Sequence, residues 1–263
     1  MTTPPADAID TAITEPSAAA LARAWQQLTL EQPGLRIRDA AQKLQVSEAE
    51  LLASQLDAGD CQQQQVQRLQ GPFGPLLQAL QSVGEVMVLT RNESMVHEKT
   101  GQFRDVTLHG PDERQMGLAL GSIDLRLFLH HFVHGFAVTT STAQGTRHSL
   151  QFFDASGTAV HKVFATPNTD METWQGLQQH WLAATQSAAL RIEPAREVSL
   201  LQTPAHLNHS ALRQDWDALK DVHHFQAMLK KHDLNRIPAY RAIGPDYAVE
   251  LDVKAFSLAL EAA

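Results

Sequence analysis

A single cysteine, Cys61, stands among 263 residues, which rules out a disulfide framework and any C-x-x-C metal or redox motif. No apolar run approaches the ~20 residues that span a bilayer. The N-terminal MTTPPADAID lacks the basic-then-apolar order of a secretory leader, so the cytoplasm is the expected compartment, with no membrane insertion. Positive charge is in deficit: 21 Lys and Arg against 29 Asp and Glu give a net charge of −8, which argues against nucleic acid as a partner. H-E-x-x-H, zinc spacings, a phosphate loop and a nucleophile elbow are all missing. Ser, His and Asp are plentiful, but no spacing selects a triad.

What the chain has is apolar material, 43%, with 19% charged residues, enough to bury a core. It also has thirteen histidines, many in or beside apolar sequence. Residues 1–20 read as a mobile tail. Helices are predicted over 21–30, 37–44 and 48–56, the last opened by the capping box Ser47-x-x-Glu50. The segment RDAAQKLQVSEAELLAS has the outline of a DNA-reading helix-turn-helix. Its cations Arg23, Arg36, Arg38 and Lys43 are offset by Glu31, Asp39, Glu48 and Glu50, so a packing role is expected. From Gly84 the texture turns to β. Strands are predicted at 85–90, 95–98 and, after a turn at Thr100-Gly101, 103–109, then at 118–120. A hairpin of 149–153 with 158–164 closes around Asp154–Gly157. Thr169-x-x-Glu172 then opens a helix carrying Trp174, Leu177, Trp181 and Ala184 and ending near Ser187. The fold class is α+β: a helical preamble, then a large antiparallel meander with helices packed on one face. Beyond a linker, Trp216, Leu219, Val222, Phe225 and Leu229 predict one helix over 215–231, and shorter helices are expected at 235–242 and 253–260.

The centre of the chain is the stretch 121–138, GSIDLRLFLHHFVHGFAV. At a period of two, Leu125, Leu127, Leu129 and Val133 share one face, with His131 the polar intruder. Arg126, Phe128, His130, Phe132, His134 and Phe136 share the other. Gly135 marks a bulge or bend. The aliphatic face is one a sheet buries. The second face is either the ordinary outer surface of an antiparallel sheet or a surface for a planar, partly apolar, anionic ligand. Farther on, His223 and His224 are adjacent. On a helix they point about 100° apart, so they cannot share one metal, but either imidazole could bind an iron axially.

Four stretches taken together resemble the HemS/HmuS-type hemin transport and hemin-degrading family. They are GEVMVLTRNESMVHEKTGQF (84–103), DLRLFLHHFVHGFAV (124–138), LQFFDASGTAVHKVF (150–164) and DVHHFQAMLKKH (221–232). The resemblance implies two similar halves, each a helical preamble followed by a large antiparallel sheet, with heme in a cleft beside the linker. It divides this chain into a tail (1–20), a first repeat (21–190), a linker (191–213) and the helical preamble of an incomplete second repeat (214–263). The second sheet, with its basic and aromatic residues, is missing, so the sequence is either a piece of a longer protein or a shortened variant. The apolar residues of 215–263 are then expected to lie loosely on the first half, exposing a patch, or to be covered by a second copy in a homo-oligomer.

Carried over by motif, His223 is the axial iron ligand, His224 an alternate, and Arg126 reaches the distal side; Gln226 stands where some members carry a further His. Phe128 and Phe132 are the expected contacts for the macrocycle. The cofactor implied is non-covalent heme b, since no C-x-x-C-H exists to attach it. The function implied is hemin uptake and transfer for iron release, with a heme importer or heme oxygenase as partner. Two alternatives stay open: a heme-degrading oxygenase-like enzyme, and a shortened interaction module that binds no heme.

Overall fold

The computed structural model of the chain describes residues 17–57, 64–92, 95–143, 145–195, 204, 206–220 and 224–261. Most of the predicted tail, Cys61 and His223 lie outside the described residues. Two compact units divide the chain, Met1–Ala195 and Arg196–Ala263. Among the described residues no helix is long and apolar enough to cross a membrane.

The first unit opens with helices α1 (Ala18–Glu31), α2 (Ile37–Leu44) and α3 (Glu48–Ala53). Ser17 caps α1, so the first helix begins three residues earlier than its apolar pattern suggests. The Ser47/Glu50 capping box forms in full at the start of α3. Strand β1 (Gln64–Leu69) and helix α4 (Phe73–Ala79) follow, then β2 (Gly84–Arg91), β3 (Val96–Gln102), β4 (Thr107–His109), β5 (Met116–Ala119), β6 (Leu125–Phe128), β7 (His134–Thr142), β8 (Gly145–Phe153), β9 (Ala159–Thr169) and α5 (Met171–His180). Six strands form one antiparallel sheet in the order β1-β7-β8-β9-β2-β3; β4-β5-β6 form a separate, three-stranded one.

Helices cover both faces of the larger sheet, not one. Leu150 and Phe152 on β8, Ala137 on β7 and Val163 on β9 point into a core with Leu76, Leu77 and Leu80, Trp174 of α5, and Leu127 of the smaller sheet. The alternate residues Phe136, Val138 and Phe153 face Ala49, Leu52 and Ala53 of α3. Strands buried on both sides read as unbroken apolar runs, which is what Phe136-Ala137-Val138 and Phe152-Phe153 are.

Several local expectations are corrected. The chain does not turn at Thr100-Gly101; β3 runs through to Gln102, paired with Glu85. Only Thr107–His109 of the predicted strand 103–109 is extended, because Phe103 and Val106 are drawn into the core. Helix α5 is capped by Asp170, whose carboxylate accepts from the Glu172 and Thr173 amides, while the Thr169 hydroxyl donates to the Glu85 carbonyl. The helix stops at His180, and residues 181–183 lie along β1: Gln70 N–H donates to the Trp181 carbonyl and Ala183 N–H to the Arg68 carbonyl, both at 2.9 Å. Gly135 marks no bulge, for β7 pairs without interruption on both sides of it. Its hydrogen is needed because the Phe73 ring lies where a Cβ would be, 2.6 Å away.

The second unit contains α6 (His209–Asp217), α7 (Phe225–Lys231), α8 (Arg236–Ile243) and α9 (Val253–Glu261). The single helix predicted over 215–231 is two: α6 ends at Asp217, and Ala218–Lys220 are not helical. Trp216 and Phe225 explain the break. Their rings meet edge to face at 5.0 Å, whereas nine residues along one helix would separate them by roughly 13 Å. Nor is this segment without a core. Leu212, Met228, Leu229, Leu234, Ala239 and Ile243 bury one another, with Trp216 and Phe225 packed on them. Exposed apolar side chains persist at Val249, Leu251, Val253, Phe256 and Leu258.

Candidate functional site

The stretch 121–138 is not one strand. β6 belongs to the small sheet, a 3₁₀ turn over Leu129–His131 follows, and β7 belongs to the large one. Up to that turn the period-two reading holds. Leu127 is buried, Leu125 and Leu129 pack on the core, and Arg126, Phe128 and His130 are exposed. Past the turn it fails. Phe132 is 7% exposed, 5.3 Å from the Phe152 ring and 6.3 Å from that of His161. His134 and Phe136 are buried as well. Phe132 is therefore a core residue, and the aromatic–histidine face is confined to β6 and the turn.

Strand register widens that face in another direction. Phe128 lies opposite Met116 and Met116 opposite His109; Arg126 lies opposite Leu118 and Leu118 opposite Thr107. Residues directly opposite in an antiparallel pair share a side. The outer side of the small sheet thus carries two rows, His109–Met116–Phe128 and Thr107–Leu118–Arg126. Its inner side buries Leu127, Gly117 and Ala119. Phe128 is 53% exposed, an unusual setting for a large aromatic ring. The His109 ring nitrogen lies 2.8 Å from the Thr107 hydroxyl. The 3₁₀ turn brings His130 and His131 together, ring centroids 4.1 Å apart, with His130 edge-on to Phe128 at 6.3 Å. Burial, then His131 and Arg114, lower the His130 pKa and favour its neutral form.

Of the four residues expected at the site, Arg126 and Phe128 share this face. His224 is exposed at the N-cap of α7 in the second unit, and His223 lies outside the described residues. His109, Met116 and Leu118 escape sequence reading because only the pairing of β4, β5 and β6 places them beside Phe128. Among the described residues no cluster of three or more His, Cys, Asp or Glu could hold a bare metal ion. The face can offer a flat apolar contact, a guanidinium and single imidazoles.

Residues 45–181 match the family model described as the haemin-degrading HemS.ChuX domain. The hemin transport protein HmuS of Yersinia pestis is 38% identical over 236 residues, which are 89% of this chain and 65% of that protein; HemS of Yersinia enterocolitica is 37% identical over 230 residues. The chain thus spans about two thirds of the length of these curated relatives. Among solved structures, holo-PhuS, a heme-binding protein from Pseudomonas aeruginosa, superposes with a TM-score of 0.85 at 44% identity, covering 94% of this chain and 69% of that one. ChuS, described as an E. coli heme oxygenase, gives 0.73 at 33% identity, covering 92% and 67%. The chain belongs to the HemS/ChuX family.

Proposed function

We propose that this chain binds heme b non-covalently in the cytoplasm and passes it on for iron release, with the outer face of the β4–β5–β6 sheet as one wall of the site. The observation that carries this reading is Phe128, exposed between Met116 and His130 and two residues from Arg126. Heme presents an apolar disc, two carboxylates and an iron that takes a neutral imidazole. Phe128, Met116 and Leu118 would lie against the disc, where burial of apolar surface is worth roughly 25 cal/mol per Å². Arg126 would neutralise a carboxylate or donate a hydrogen bond on the distal side. His223 is assigned as the axial ligand on the strength of the D-V-H-H-F motif, with His224 as an alternate. Bound heme would supply redox-active iron; the protein's share is to seat it, orient it and shield it from water. The helical second unit is read, on the same resemblance, as the start of a second repeat. A heme importer and a heme oxygenase are the partners this role implies.

The test is a hemin titration followed at the Soret band. Saturation at one equivalent is expected, with His223→Ala shifting the band and weakening binding more than His224→Ala. Equal effects would mean adventitious or bis-histidine binding, and no effect from either would overturn the ligand assignment. Arg126→Ala should weaken binding on the order of tenfold, the scale of one charge-assisted contact.

The likeness to ChuS favours a second reading, oxidative degradation. Incubation of the ferric complex with a reductant, with and without air, separates the two: loss of the Soret band that reoxidation does not reverse, in air only, would make the chain an enzyme.

A further inference from the structure

A cleft lies in the first unit, on the face of the six-stranded sheet that α3 covers. It has a volume of about 750 Å³ and opens between α2, the start of α3, the end of β2 and the start of β9. That volume is in the range of small-molecule sites. Arg38, Gln42, Glu48, Arg91 and Thr158 line it. Two of these residues, Glu48 and Arg91, belong to an ion cluster with Lys162. Lys162 Nζ donates to Glu48 Oε1, and both side chains are buried. Arg91 Nη2 stands 3.8 Å from Glu48 Oε2, an electrostatic but not a hydrogen-bonding distance. Arg38 reaches across from α2, with Nη1 3.5 Å from the Asn92 carbonyl.

The charges of this cleft do not balance among the described residues. Among the described residues of the cluster, one carboxylate, Glu48, faces two cations, Lys162 and Arg91, and a third cation, Arg38, lines the same cleft. This excess of positive charge sits in a concave site on a chain whose net charge is −8. At its buried end two cations, Lys162 and Arg91, share the one carboxylate of Glu48, an imbalance that is costly where water is scarce. Guanidinium groups have a planar fork of donors that matches the oxygens of phosphate or carboxylate.

We propose that this cleft binds the oxyanion group of a small metabolite, a phosphate or a carboxylate, held between Arg38 and Arg91 with Gln42 and Thr158 at the rim. The experiment titrates the full chain with inorganic phosphate and, separately, with succinate. Calorimetry and thermal denaturation are read at constant ionic strength against chloride. Saturable binding at one site per chain is expected, weakened at least tenfold in Arg91→Gln and in Arg38→Gln. Binding of phosphate alone assigns a phosphate ester, succinate alone a carboxylate, and both equally an undiscriminating oxyanion site; each supports the proposal. No saturable binding of either, or binding unchanged in the variants, overturns it. Arg38 is not part of the Glu48–Lys162 pair, so Arg38→Gln keeps the test valid if Arg91→Gln fails to fold. Hemin titration of Arg38→Gln should match the parent chain, which separates failure here from failure of the heme reading.

Discussion

Two phenylalanines four positions apart, Phe128 and Phe132, have opposite fates. Alternation alone places them on one face, yet the 3₁₀ turn between them carries the chain from one sheet to another, and nothing in LFLHHF announces it. Arg126 and Phe128 were legible because a single strand obeys period two; Phe132 was not, because the period survives in the sequence after the strand has ended. Phe128→Ala should therefore change the urea midpoint little, within about 0.5 kcal/mol, while weakening hemin binding. Phe132→Ala should cost about 3–5 kcal/mol of fold stability; an unchanged midpoint would remove it from the core. His161 is a residue whose protonation bears on the fold. It is buried, its Nδ1 lies 2.9 Å from the Thr90 hydroxyl, and burial pushes its pKa down to about 4. The unfolded chain takes up this proton near pH 6.5 and the folded chain only near 4, so stability is intact above pH 6.5 and falls as the pH drops through that window. The loss attributable to this residue approaches about 3 kcal/mol. Urea unfolding at pH 7 and pH 4.5 should show a smaller drop in His161→Asn than in the parent chain; equal drops would place the acid sensitivity elsewhere.

At the level of elements, local chemistry was readable and pairing was not. The Ser47/Glu50 box named its own helix start because both partners lie within four residues. The apparent Thr169/Glu172 box misled by one position, because Asp170 caps better and Thr169 is engaged by Glu85 across the sheet. Strand β1, QQVQRL, has only Val66 and Leu69 to mark it and exists because β7 offers an edge. Glu48 shows the same limit for charge. By composition it is one of four acids offsetting four bases; in the fold it is buried against a lysine from a strand more than a hundred residues away. Burial is the main influence lowering the Lys162 pKa, and Glu48 opposes it. Glu48→Gln should destabilise by about 3–5 kcal/mol, as removal of one member of a buried pair does. Adding Lys162→Met should recover most of that loss in a denaturant series. No recovery would mean that the damage lies in the α3 start and not in the stranded cation.

For the molecule as a whole, the apolar residues of the second unit divide: those from Leu212 to Ile243 bury one another, while Val249, Leu251, Val253, Phe256 and Leu258 stay exposed. The break after Asp217 that folds Trp216 onto Phe225 leaves no signature in a stripe spaced for one helix. Because this unit has its own core, Leu229→Ala, at a fully buried position, should lose about 2–5 kcal/mol locally. Amide hydrogen exchange should then show protection falling across α6–α8 and persisting in β7–β9; a uniform loss would mean that the units unfold as one. The large sheet, finally, has two unequal borders. On the β1 side residues 181–183 occupy backbone groups that would otherwise be open. On the β3 side, among the described residues, no further strand follows, and Val96–Gln102 is largely solvent-exposed. What guards that border is the ionic sequence His97-Glu98-Lys99, as is usual where an open edge must not recruit another chain. Colloidal behaviour at this border should thus be set by side-chain charge and solvent, not by covalent architecture: high salt, or neutral residues at 98 and 99, should turn the same strand into a template for a second copy, read as a rise in mass by light scattering.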